Sequence, residues 1–492
     1  MKTSIKRSFC LLIVLALSSQ LAHPFCGFYV AKADADLFNE SSQVILARDG
    51  DRTVVTMAND FQGDVKDFAI VVPVPVVLQE DQIRIAEQSI FDKLDAYTGP
   101  RLVEYHDHNP CQRYLHENRR HRDMTAGAVP DAPSADVPEE DELGVTVEAT
   151  YTVGEYDIKI LSAEYSDGLE TWLTHNGYQL PPQARQVLKP YIRSNMKFFV
   201  VKVNLDAYEA EGAVQLRPIQ IEYNSDKFML PIRLGMANSR GFQDLIVYAF
   251  SRIGRIETVN YPTRELPTNI NIPVSVQNRY GAFYKALFSR AWERADKRSV
   301  MLEYFWDISS DNYTKCDPCP TSPPALAELQ QAGVFWVKPR TDNNRWSGSD
   351  YTGEVYITRL HARYSRSLYP EDFLFQETPN KSNYQARYVM HHKANGPMDC
   401  DAGKEYLEKR KEREKQFAIN LAYLTGWNDG TPPDDPSKIG DDGLLPFGST
   451  PDFFNPGGYS LLQLLLSFGL LALLGGLVVR SILRRRRAAA AA

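Results

Sequence analysis

Cys316-Asp317-Pro318-Cys319 carries the sharpest chemical signal in the chain. Two thiols at this spacing can close a redox-active disulfide or supply half of a metal site. A thiol-exchange enzyme holds its first cysteine at a helix N-terminus, where the dipole lowers the thiol pKa. The next helix signal here is Ser322-Pro323-Pro324, beyond the pair, so the pattern favours a structural loop staple over thiol–disulfide exchange. A zinc site needs two further ligands, and no second pair of cysteines is present. Once Cys10 is assigned to an N-terminal leader, Cys26, Cys111 and Cys400 remain beside Cys316 and Cys319. All five are candidate disulfide cysteines; their number is odd, and their connectivity is not given by spacing.

His106, Asp107, His108, His116 and His121 cluster closely enough to surround a metal. Arg113, Arg119, Arg120 and Arg122 lie among them and repel a cation, so a solvated loop is the better reading. His391 and His392 fall on opposite faces of an extended chain and do not share a site. Glu139-Glu140-Asp141-Glu142 lacks the glycine and ligand spacing of a calcium loop. Trp346, in the polar stretch Arg345-Trp346-Ser347-Gly348, is the aromatic residue best placed for exposed binding. The chain shows no nucleophile elbow, phosphate loop, dinucleotide fingerprint or zinc-protease motif, and nothing in it calls for a cofactor.

These residues lie in a body bracketed by two apolar segments. Lys2, Lys6 and Arg7 precede the apolar run Phe9 to Leu17, too short to span a bilayer, and the pattern is that of a signal peptide over 1–22. Tyr459 to Leu483 contains nineteen mostly apolar residues, Leu461 to Val479, followed by Arg480 and Arg484 to Arg487. It reads as a transmembrane helix over 459–483 with a cytoplasmic tail over 484–492, which leaves the body outside. The expected location is the cell membrane, single-pass, with the bilayer as one partner. Gly457-Gly458 ahead of the helix also matches a cleavable sorting tail, so the permanence of the anchor stays open.

Of the 492 residues 43% are hydrophobic, which suits a folded body. Setting aside three basic residues in the leader and five in the tail leaves 47 basic against 62 acidic residues, a net of −15. An acidic body argues against nucleic acid as a partner. Short β-branched runs at Ser42 to Leu46, Arg52 to Met57 and Phe68 to Val72 mark an N-terminal β-rich unit over 23–122, with a hairpin turn at Asp49-Gly50. Pro73 and Pro75 remove ladder donors, so that run reads as an edge strand or polyproline path. A helix through Phe91 and Leu94 closes before Gly99-Pro100.

Residues 123–144, rich in Ala, Pro, Asp and Glu, read as a linker. A middle α+β unit follows over 145–266: a hairpin around Gly154, a helix capped by Ser166, a second helix from Pro181-Pro182, then strands at Lys197 to Asn204, Gln215 to Tyr223 and Asp244 to Phe250. A C-terminal α+β unit spans 267–427, with helices at Asn278 to Arg294, from Pro323 to Gly333, and at Asp401 to Leu424, and a strand at Ser299 to Trp306. Residues 428–458, crowded with Pro, Gly and Asp, read as a stalk. The expected fold is α+β, mainly antiparallel sheets with several short helices.

Cys26-Gly27, Phe68 to Pro75, Glu303-Tyr304-Phe305-Trp306-Asp307, Cys316 to Cys319, Thr358-Arg359-Leu360-His361, Arg387-Tyr388-Val389 and Leu424 to Trp427 occur in order. This series resembles a bacterial family known as domain of unknown function 2330. The resemblance implies secreted or membrane-anchored proteins of no established activity; the His- and Arg-rich stretch from His106 to Arg122 and the acidic segment after it depart from the common pattern. The expected role is a binding or envelope-structural module with an envelope protein or glycan as partner. Thiol–disulfide oxidoreduction is the alternative.

The tail generates one test. Intact mass of the protein extracted from membranes is expected to include 459–492; a chain ending at Gly458 would overturn the permanent anchor.

Overall fold

The computed structural model describes residues 28–29, 41–58, 69–112, 144–176, 178, 184–211, 216–237, 241–341 and 349–427. Residues 1–432 form one compact unit and 433–492 a second, so everything described belongs to the first. The fold is mixed α+β, dominated by sheet and carrying seven α-helices among the described residues. No described helix is long and apolar enough to cross a membrane; the expected signal peptide over 1–22 and the expected transmembrane helix over 459–483 lie outside the described residues.

The central sheet has nine strands. Its spine consists of β1 (Ser41–Asp49), β2 (Arg52–Met57), β3 (Gln243–Ser251), β4 (Val300–Asp307) and β5 (Tyr356–Tyr364). They stand in the order β4, β5, β3, β1, β2, so segments 23–122, 145–266 and 267–427 all contribute strands to one sheet. The β1–β2 hairpin turns at Gly50, as the sequence indicates, and pairs Asp49 with Arg52. Most pairings are antiparallel, but β1 and β3 run parallel, with Val44 opposite Val247. Both faces of the sheet are covered, which is why its strands read as near-continuous apolar runs.

A five-stranded sheet covers one face. Ile70, Val72, Phe199 and Val201 of that sheet pack with Val44, Leu46, Val55 and Met57 in one apolar cluster. Its outer side carries the helices Ser166–His175 and Ala184–Arg193 through Leu169, Trp172, Leu188 and Tyr191. On the opposite face of the central sheet, α1 (Gln88–Thr98) lays Ile90, Phe91, Leu94 and Tyr97 against Ile45, Ala47, Tyr248 and Phe250. Burying each such side chain contributes about 1.5–3 kcal/mol. Helix α2 (Tyr280–Arg294) directs Phe283 at Tyr388 and Trp427. Helix α3 (Asp401–Thr425) runs one residue past the expected Leu424 and ends at Gly426 with φ +77°.

Ala69–Val74 pairs with Lys197–Val203 along one side, and at Pro73 it is the edge that the missing donor calls for. Its other neighbour, Phe28–Tyr29, reaches only Val71 and Ile70, so Pro73 has a partner strand on one side alone among the described residues. Two other local readings change. Ser166 is the first helical residue rather than the cap, which is Tyr165 and makes no side-chain capping bond. The helix expected from Pro323 starts at Leu326, where the Glu328 carboxylate accepts the Ala325 N–H at 2.7 Å.

Gly333 follows that short helix in the left-handed region at φ +84°, and a Cβ there would lie 2.5 Å from Cγ1 of buried Val54. Gly333→Ala is expected to lower unfolding free energy by about 2–3 kcal/mol in denaturant titration, from backbone strain plus overpacking. Gly281→Ala, in open space within α2, is expected to be neutral or stabilising by up to about 1 kcal/mol. Equal effects at the two sites would refute the packing argument.

Candidate functional site

Alternation along β5 sends Leu360, Ala362 and Tyr364 into the core shared with the five-stranded sheet. Arg359, His361 and Arg363 therefore project from the other face. Isolated charges there would be costly, and each finds a partner from a different element. Glu303 stands where the register of β4 against β5 shifts between Leu302 and Tyr304, a β-bulge that re-aims its side chain. Fully buried, its carboxylate accepts Arg359 Nε at 2.5 Å through Oε2 and sits 2.8 Å from His361 Nδ1 through Oε1. Tyr284 of α2 donates its hydroxyl to Glu303, and its oxygen lies 2.9 Å from His361 Nδ1.

The arrangement extends in both directions. Arg359 Nη1 donates to Asp95 of α1 at 2.7 Å, and Tyr248 Oη donates to the same carboxylate at 3.1 Å. At the other end His361 Nε2 faces Asp244 Oδ1 at 3.5 Å, too long for a good hydrogen bond, while Arg363 grips Asp244 with two bonds of 2.8 and 2.9 Å. Phe288 of α2 stacks on the His361 ring at 3.7 Å. The result is a ladder of alternating charge, Asp95–Arg359–Glu303–His361–Asp244–Arg363, beneath two helices. Burial pushes Glu303 toward neutrality, but Arg359 and His361 outweigh it and hold the carboxyl below its ordinary range. Burial likewise opposes charge on His361, and Glu303 and Asp244 prevail, raising its pKa.

At the C-terminal end of α2 a cleft of about 840 Å³ opens, within the usual range for ligand sites. Met301 forms part of its wall and is the register partner of His361, so ladder and cleft meet across one strand pair. Apolar lining comes from Tyr261, Pro262, Met301 and Leu368; Arg264, Arg294 and Arg298 supply positive charge, and Glu265, Asp296 and Glu371 negative charge. Arg264 comes from the strand Thr263–Glu265 and Arg294 from the last turn of α2. Asp296 and Lys297, at φ +57° and +58°, turn the chain before Arg298. Two consecutive left-handed residues other than glycine cost about 1–2 kcal/mol each.

Four of the candidate cysteines form two bonds, Cys316–Cys319 and Cys111–Cys400; Cys26 lies outside the described residues. The loop bearing Cys316 and Cys319 is held by donors to its carbonyls: Trp306 to Thr314 and Tyr97 to Lys315 at 2.6 Å, Arg387 to Asp317 at 2.9 Å and Arg101 to Pro318 at 2.8 Å. No helix begins at Cys316, so the dipole a reactive thiol needs is missing there. Cys400 caps α3, and beside it Asp107 takes a 3.2 Å bond from Arg413 and a 2.8 Å bond from Tyr406.

His391 and His392 do go separate ways, to Asn271 at 3.2 Å and Glu104 at 2.7 Å, while His106 stacks on His392 at 4.5 Å. No group of three metal-ligating side chains occurs among the described residues. His116, His121, Glu139 to Glu142 and Trp346 lie outside them. Glu303, Arg359 and His361 lie in two of the segments that carry the family resemblance but do not stand out there as individual residues. A charged residue inside an otherwise apolar strand was the available signal.

Fold and site together define an α+β protein with two disulfides among the described residues and a central sheet crossed by a buried charge ladder. The chain belongs to DUF2330, described as an uncharacterized protein conserved in bacteria, which matches residues 21–376. That match includes Glu303, Cys316, Cys319, Arg359 and His361 and stops short of Arg387 and Leu424. No curated protein and no solved structure matches the chain.

The ladder sets a pH signature. His361, raised on folding, contributes stability fully below its unfolded value of about 6.5 and loses it as pH rises through the folded value. Glu303 and Asp244, both held low, contribute above about pH 4 and lose it as pH falls. Glu303→Gln is expected to cost about 3–5 kcal/mol. In denaturant titrations the deficit against wild type should be largest between about pH 5 and 6.5 and shrink above that window. A deficit independent of pH would separate Glu303 from His361.

Proposed function

We propose that this chain is a membrane-anchored, extracytoplasmic binding module whose ligand site is the arginine-rimmed cleft at the end of α2. The cleft is the observation that carries this reading: its size suits a ligand, Tyr261, Pro262, Met301 and Leu368 give it an apolar wall, and Arg264, Arg294 and Arg298 line it beside Glu265, Asp296 and Glu371. The ladder is packed beneath α1 and α2 and leaves no room at Glu303 for a reacting group, so its role is to fix the strands that shape the cleft. The leader and the apolar C-terminal segment support export and tethering. Two disulfides fit an oxidising compartment. The carbonyl-stapled loop around Cys316 and Cys319 favours a structural bond over thiol exchange.

A photo-crosslinking side chain at Leu368, inside the cleft, is expected to give an adduct in native envelopes that the same group at exposed Ile253 does not. Arg294→Glu should abolish that adduct. Absence of any adduct at Leu368, together with insulin reduction lost on Cys316→Ser, would replace the binding reading by the oxidoreductase one.

A further inference from the structure

The charges around the cleft are not evenly satisfied. Elsewhere on the surface arginine is usually paired: Arg185 with Glu170 at 2.5 Å, Arg252 with Asp49 at 3.0 Å, Arg255 with Glu257 at 2.6 Å. Arg264, Arg290, Arg294 and Arg298 have no carboxylate within ion-pair distance among the described residues, in a body whose overall charge is strongly negative. Of the acids lining the cleft, Glu265 is already engaged by Arg255 at 2.9 Å. Asp296 and Glu371 remain beside the arginines.

Two of these cations are held in place. Arg290 Nε and Arg294 Nη2 both donate to the Tyr423 carbonyl, at 3.1 and 3.0 Å, and the Arg294 guanidinium lies 4.1 Å over the Tyr423 ring. A guanidinium has five N–H donors, so most of its capacity is unspent after one such bond. Burial and the like charge of Arg290 weaken the protonated form of Arg294, a cost that a bound anion would remove.

Resting on the cleft as the binding site, we infer that its ligand is a small organic anion with a single carboxylate or phosphate group on an apolar or aromatic body. The planar guanidinium forks match either oxyanion and would donate paired, charge-assisted bonds to it. Tyr261, Pro262, Met301 and Leu368 form the wall for the body of the ligand. Asp296 and Glu371 interrupt the positive charge, so a polyanion lying along the cleft would meet repulsion that a compact monoanion avoids.

Titration calorimetry on the full chain in detergent tests this with four probes: hippurate as the carboxylate, phenyl phosphate as the phosphate, benzamide as the neutral body and hexaglutamate as the polyanion. At least one of hippurate and phenyl phosphate is expected to bind about tenfold or more tighter than benzamide, equivalent to about 1.4 kcal/mol, and the better of the two assigns the oxyanion. Combining Arg294→Gln with Arg298→Gln should reduce that binding at least about tenfold with an unchanged melting temperature, while Lys at both positions keeps part of it. Equal binding of benzamide, tighter binding of hexaglutamate, undiminished binding to the Gln variant, or no binding of either anion would each overturn the inference. If the Leu368 adduct persists in that last case, the ligand class falls and the binding module stands; if the adduct is also missing, both fall.

Discussion

A carboxylate with no access to water, Glu303, sits between two cationic side chains from the neighbouring strand, and much of the central sheet is arranged around making that arrangement tolerable. Removing an ion from water costs several kcal/mol, repaid only when geometry is good and the remaining lone pairs are satisfied. Glu303 meets the condition through Arg359, His361 and Tyr284. Two of those groups are fixed in turn by another: Arg359 by Asp95, and His361 by the Phe288 stack. The ladder thereby couples α1, α2, β3, β4 and β5, and a shift of any one would leave a charge stranded. A one-residue slip of β4 against β5 would carry every side chain, charged and apolar alike, to the wrong face, so the ion pairs and the apolar pattern specify the same register.

The same logic recurs where the outer layers attach. Asp372 collects the Tyr191 hydroxyl at 2.6 Å, the Ile232 and Arg233 amides and the Arg233 side chain, tying the helix Ala184–Arg193 to the loop after β5. Glu155, wholly buried, binds Arg217 by side chain and by backbone N–H at 2.9 Å. Apolar burial drives these layers together without direction, and the buried carboxylates set how they sit. The arginines around the cleft stand outside this scheme. Among the described residues Arg264, Arg290, Arg294 and Arg298 have no carboxylate within ion-pair distance, whereas Arg217 and Arg233 are each held by a buried acid.

Local pattern was legible where the cause was local. Arg52–Met57 has the limits its β-branched run suggests, α1 closes before Gly99-Pro100, and α3 stops at Gly426 because a glycine tolerates the left-handed turn that ends a helix. Ser166 misled because capping preference describes a residue type, whereas the chain enters that helix one position earlier, at Tyr165. The site was hidden for a different reason. Asp95, Asp244, Glu303 and Arg359 are brought together by strand order, and the parallel placement of β3 beside β1 is not written in any short window. The bulge at Glu303 adds a residue that no alternation pattern announces. The cleft is less legible still, since its lining comes from a strand, a helix end, a loop and α3 at once.

Cys111 and Cys400 are 289 positions apart, and their bond turns the intervening chain into a covalent ring. That ring contains β3, β4 and β5 and every member of the ladder except Asp95. A pulling force applied between the two ends of the chain therefore runs through the sulfur bridge and bypasses the ring. Under mechanical load the backbones of the strands carrying Glu303 and Arg359 lie off the covalent path, and force reaches them only through non-covalent neighbours such as β1 and α1.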